Sequence, residues 1–70
     1  MATISATMNR IKEVLKEKGI KQIWLAEKLG KSYNMVNRYV QNRKQPSIEC
    51  LYEIAELLNI SVKELLAENE

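Results

Sequence analysis

The side chains in this sequence that could act on a ligand are cations, amides and hydroxyls gathered in one stretch. No acid occurs between Glu27 and Glu49, while Lys28, Lys31, Arg38, Arg43 and Lys44 all do. A segment of one charge sign suits a polyanion, because phosphate oxygens attract cations and accept N–H and O–H donors. The same inventory argues against catalysis. There is no histidine, the commonest general base and metal ligand. Glu53, Glu56 and Lys63 suggest no pocket, and no nucleophile has a base beside it. The chain is therefore read as not an enzyme, with no metal and no cofactor.

Charge is sorted along the chain. Residues 1–46 hold ten Lys and Arg against three acids, a net +7. Residues 47–70 hold one base, Lys63, against six acids, a net −5. This gives one end suited to face a polyanion and one suited to face away from it. The single cysteine, Cys50, cannot form an internal disulfide, which fits a reducing, cytoplasmic setting. It is expected to pack as a small hydrophobe. No apolar run approaches the roughly 18 residues of a membrane span. Residues 1–7 lack the basic start and apolar stretch of a signal peptide and are expected to be a disordered segment.

Seventy residues, 46% of them hydrophobic, suffice for one small core, and the composition is rich in helix formers. The expected fold is all-α, a single domain over residues 8–70 with helices at about 8–18, 22–29, 32–41, 47–58 and 61–67. Thr7 would cap the first helix, whose apolar face is Met8, Ile11, Val14 and Leu15. Gly19 ends it and Ile20 folds back. Leu25, Ala26 and Leu29 share a face of the second helix, which ends at Gly30. Ser32 caps the third, with Val36, Tyr39 and Val40 as its apolar positions. Asn42, tolerant of positive φ, is its exit. A basic loop leads to Pro46 and Ser47. The fourth helix carries the stripe Ile48, Leu51, Ile54, Ala55 and Leu58 and closes at Asn59. Ser61 and Glu64 would form a capping box for a fifth, with Val62, Leu65 and Leu66 as its apolar face.

Two helices joined by three or four residues containing glycine make a helix-turn-helix unit. Ala26 is small where the helices must cross, Gly30 supplies the turn, and Leu25, Leu29 and Val36 anchor the pair. In these residues the chain resembles the Cro/phage-repressor-like (XRE-type) helix-turn-helix DNA-binding proteins. The resemblance covers about residues 10–66. It is carried by Gln22, Leu25-Ala26, Leu29-Gly30, Ser32, Val36, the basic loop before Pro46-Ser47, and the tail Leu58 to Leu65. The chain departs from the family pattern at Lys31 (usually aliphatic), Val40 (usually Glu) and Asn42 (usually Gly).

The resemblance implies a five-helix lambda-repressor-like domain that regulates transcription by binding double-stranded DNA. It implies a third helix in the major groove, with Tyr33, Asn34, Asn37 and Arg38 facing base edges. Arginine can bond guanine bidentately and asparagine adenine. Gln22 and Ser32, at helix N-termini, would meet phosphates, as would Asn42, Arg43 and Lys44 beyond the reading helix. A homodimer formed through the C-terminal helices, with Tyr52, Leu57 and Leu66 as contacts, would place two reading helices on a pseudo-palindromic site. The alternative is a protein-interaction module of antitoxin or phage-control type, using Ile23 and Trp24 as the partner contact. The size of Trp24 favours instead packing against the first helix or the tail.

Overall fold

In the computed structural model, which describes residues 9–66, four α-helices are followed by a 3₁₀ turn. The helices are α1 (Ile11–Lys18), α2 (Gln22–Leu29), α3 (Tyr33–Val40) and α4 (Ile48–Leu58), and the 3₁₀ turn is Val62–Leu65. Among the described residues the fold is all-α, as expected, with one isolated antiparallel bridge, Asn9 to Leu66.

The four helices end alike. A residue with positive φ follows each, and two backbone N–H groups turn back to the last carbonyls. After α1, Gly19 N–H donates to the Lys16 carbonyl (3.2 Å) and Ile20 N–H to that of Leu15 (2.9 Å). After α2, Gly30 donates to Glu27 (3.2 Å) and Lys31 to Ala26 (3.0 Å). Asn42 to Tyr39 (3.1 Å) with Arg43 to Arg38 (2.9 Å), and Asn59 to Glu56 (3.1 Å) with Ile60 to Ala55 (3.0 Å), repeat the pattern. Each pair satisfies carbonyls that a helix end leaves unmet. Glycine serves twice and asparagine twice, at φ 68° and 69° for Gly19 and Gly30 and 60° and 59° for Asn42 and Asn59. A β-carbon on Gly30 would meet nothing within 4 Å, so the turn needs its φ rather than its small size.

Two helices start on serine. Ser32 Oγ accepts from Met35 N–H and Ser47 Oγ from Cys50 N–H, both at 3.1 Å. At the start of α1, however, the expectation is corrected. That helix opens at Ile11, three residues after Met8, because Asn9 is in the bridge to Leu66 and its Oδ1 accepts from Ile11 N–H (3.1 Å). The expected Thr7 cap, the Met8 contact and the segment 1–7 lie outside the described residues, as does Ala67.

The C-terminal element is also corrected. It is a 3₁₀ turn rather than an α-helix over 61–67, and the Ser61 side chain makes no cap bond. Leu66 is extended (φ −90°, ψ 135°), which ends the turn and lets it pair with Asn9. Arg10 N–H donates to the Leu65 carbonyl (2.8 Å), and the Arg10 guanidinium to the Glu64 carbonyl (3.2 Å).

Each element contributes one aliphatic side chain with no exposed surface: Ile11, Leu25, Val36, Ile54 and Leu65. Val14, Leu15, Ala26, Tyr39, Val40, Cys50, Leu51, Ala55 and Leu58 complete the core. Burying one large aliphatic side chain contributes about 1.5–3 kcal/mol, so losing any one of the five would take much of a small domain's margin. Ile48, read as part of the α4 stripe, is corrected. It is 69% exposed, because as the first helical residue it extends past the elements that cover the rest of the stripe. Leu66 likewise stays partly exposed.

Replacing Gly30 with Ala should destabilise the domain by about 1–2 kcal/mol, the strain of a left-handed L-residue. Asn59→Gly should stay within about 0.5 kcal/mol, since both residues tolerate this conformation. Urea midpoints at constant slope read both, and equal losses would contradict the requirement for positive φ.

Candidate nucleic-acid interface

Two residues, Lys31 and Ser32, separate Gly30 from α3, so the axis of α3 is set within a single turn. Leu25 and Ala26 of α2 and Val36 of α3 are buried in the shared core, and α3 is held along one side by Val36, Tyr39 and Val40. Its other side faces out. Tyr33 is 47% exposed, Asn34 and Arg38 are exposed, and Asn37 is half-buried between them. Residues one turn apart on a helix share a face, so Asn34, Asn37, Arg38 and the exposed Gln41 form one polar strip beside Tyr33.

The remaining site residues surround this strip unevenly. Ser32 is exposed, and because its oxygen accepts the cap bond its O–H remains able to donate. Gln22 is the first residue of α2 and half-buried, and its Oε1 is buried with no hydrogen-bond partner among the described residues. It borders a depression with Lys12, Lys16, Lys21 and Tyr33. Arg43 and Lys44 are exposed just beyond α3, and their N–H groups both donate to the Arg38 carbonyl, at 2.9 and 3.3 Å. Asn42 differs from the others. Its side chain turns inward, with Oδ1 accepting from Asn9 N–H (2.9 Å) and Gln45 Nε2 (3.2 Å), and Nδ2 donating to the Asn9 carbonyl (3.3 Å).

Among the described residues the one ion pair is Arg10, half-buried, with the exposed Glu17, 3.7 Å apart. Lys31, Arg38, Arg43 and Lys44 thus have no carboxylate partner there, and their charge is available to a polyanion. Lys28 Nζ lies 5.7 Å from the Trp24 ring centroid, in cation–π range. Trp24 is covered only in part. It borders a shallow depression with Gly19, Ile20 and Lys21 and keeps 36% of its surface exposed, next to Ile23 at 49%.

Sequence reasoning missed Asn9 and Gln45. Asn9 Nδ2 donates to the Tyr39 carbonyl (3.0 Å) and to Gln45 Oε1 (2.9 Å). A local signal existed, an Asn two residues before the first apolar helix position, where such side chains bond nearby N–H groups. Its partners across the fold left no trace in the spacing.

Comparisons with known proteins show what the chain is similar to. The helix-turn-helix family model matches residues 11–65. The chain is also similar to the crystal structure of a Bacteroides fragilis protein provisionally described as DNA-binding. The two share 47% identity with a TM-score of 0.84, over 86% of this chain and 97% of that one. No curated protein matches the chain. The chain belongs to the helix-turn-helix family, of the XRE type. Among the described residues no helix is long and apolar enough to cross a membrane.

Behind α3, burial pushes the Cys50 thiol above its ordinary pKa; Lys31 and a hydrogen bond from Tyr39 oppose the rise, and Glu53 adds to it. Because the folded value lies above the unfolded one, the thiol's contribution to stability is complete below its ordinary, unfolded pKa. It is lost as pH rises through the folded value. At pH 8 the native thiol should react with a disulfide reagent at least about tenfold more slowly than in urea, since it must first be uncovered. Equal rates would show that Cys50 is accessible in the fold.

Proposed function

We propose that this protein is a sequence-specific double-stranded DNA-binding transcriptional regulator whose α3 enters the major groove. The observation that carries the reading is the outer strip of α3, largely exposed, free of acids and presented by a short turn capped at Gly30 and Ser32. Its family membership and the description of the B. fragilis protein support the same reading. A helix with side chains is about 10–12 Å across and the B-form major groove about 12 Å wide, so the strip would lie against base edges. Arg38, Asn34, Asn37 and Tyr33 read bases. Ser32, Gln22, Arg43 and Lys44 hold phosphates on either side. Asn42 serves the fold, through its positive φ and its inward bonds, and contributes to binding by placing its neighbours.

The functional unit in this proposal is a homodimer. The acidic C-terminal part leaves Tyr52 (59% exposed) and Leu66 (44%) uncovered, with Leu57 half-buried, and these apolar edges would pair two copies. Two α3 helices would then meet a pseudo-palindromic site one helical turn apart, about 34 Å. A second reading, a protein-interaction module of antitoxin or phage-control type, is favoured by one observation, the exposed neighbours Ile23 and Trp24. Fluorescence anisotropy with a random-sequence duplex at two salt concentrations separates the readings. Binding that weakens with salt supports DNA, and its absence supports a protein partner.

Arg38→Ala should cost ~1–3 kcal/mol at the preferred site and relax the preference at one base position. Lys44→Ala should weaken all sequences alike and flatten the salt dependence by about one unit. A loss in the Arg38 variant that is the same for every base change would remove its reading role.

A further inference from the structure

Asn9 is the one buried polar residue among the described residues, and its bonds run in two directions. Toward its own helix, Oδ1 accepts from Ile11 N–H. Toward the loop after α3, Nδ2 donates to the Tyr39 carbonyl and Gln45 Oε1, and its backbone N–H and carbonyl pair with the Asn42 amide. Asn42 and Gln45 are also joined to each other. Arg43 and Lys44 are the two residues between these clamped positions, exposed and without a carboxylate partner among the described residues.

Loop cations in water would sample many positions, and holding both flanking residues reduces that freedom before any ligand arrives. A polar cluster anchored on one buried amide, with its bonds made, favours one loop geometry, which an apolar filler could not. We propose that Asn9, some 33 residues from the loop in sequence, is a positioning residue for DNA binding, setting Arg43 and Lys44 against phosphates. This rests on the reading above, in which those two residues contact the DNA backbone.

The test uses the full chain, a labelled random-sequence duplex and one duplex selected from a random pool, titrated over a range of salt well below each variant's unfolding midpoint. Asn9→Ser keeps an oxygen able to cap α1 but cannot reach Tyr39 and Gln45. Asn42→Gly keeps the positive φ and removes the other half of the clamp. Both variants should bind both duplexes about tenfold more weakly and flatten the salt slope by about one to two units. Preference for the selected sequence should not change, because Tyr33, Asn34, Asn37 and Arg38, the base-facing residues of the proposal, keep their side chains and lie at least one residue away from the bonds removed at Tyr39. Two folded variants with the parent slope would overturn the proposal, as would a loss that disappears once the fraction folded is matched. The double variant R43A/K44A isolates the underlying reading. If it keeps the parent salt slope, the phosphate role of the loop is wrong and the positioning role falls with it. If it loses slope while the Asn9 and Asn42 variants do not, only the positioning role falls.

Discussion

The Asn9 carboxamide is the interaction on which the arrangement of this small fold turns. An amide taken out of water must find partners for its donors and its acceptor, and an unmet group costs about 1–3 kcal/mol. Asn9 finds them at the start of α1, at the end of α3 and in the loop before α4. Its backbone also pairs with Leu66, near the end of the described chain. Four parts of the sequence thus meet around one residue. The apolar core supplies most of the driving force but has little direction. The amide bonds are directional, and with the backbone bonds of Asn42, Arg43 and Lys44 to α3 they tie the loop to that core.

Presenting a polar helix face demands that the rest of the molecule be stiff. Three sides of the problem are solved locally: a serine starts α3, a left-handed glycine precedes it, and an asparagine in the same conformation follows it. The remaining side is tertiary, with Val36, Tyr39 and Val40 buried against the other helices. Val40 replaces the family's usual Glu and enters the core instead. Lys31 replaces an aliphatic residue after the glycine, stays exposed and still donates its N–H to the Ala26 carbonyl. The capping bonds are backbone bonds, so the turn tolerates a charged side chain at that position.

Much of the candidate site was legible because it depends on neighbours in sequence. The polar strip of α3 follows from helical spacing once Val36, Tyr39 and Val40 are placed inside. The role of Asn42 was legible only in part: its tolerance of positive φ is a local property, whereas the inward commitment of its side chain depends on Asn9. Trp24 and Ile48 show the other limit. Both are large and apolar, and size alone argues for burial, but a residue is buried only where another element arrives to cover it. Nothing arrives over Ile48, and Trp24 is covered only in part.

The sequence by itself determined the left-handed ends of the four helices, the caps at Ser32 and Ser47, most of the apolar stripes and the sorting of charge. Each of these is set by dihedral preferences and periodicities that act over a few residues. The tertiary structure alone decided that α1 starts at Ile11, that the last element is a 3₁₀ turn, and that Asn9 joins the loop that follows α3. These follow from pairings between residues about thirty or more apart, such as Asn9 with Asn42 and Arg10 with Leu65. Only the packed core brings such partners within hydrogen-bonding distance, and there the need to satisfy buried amides outweighs the local preference to extend a helix.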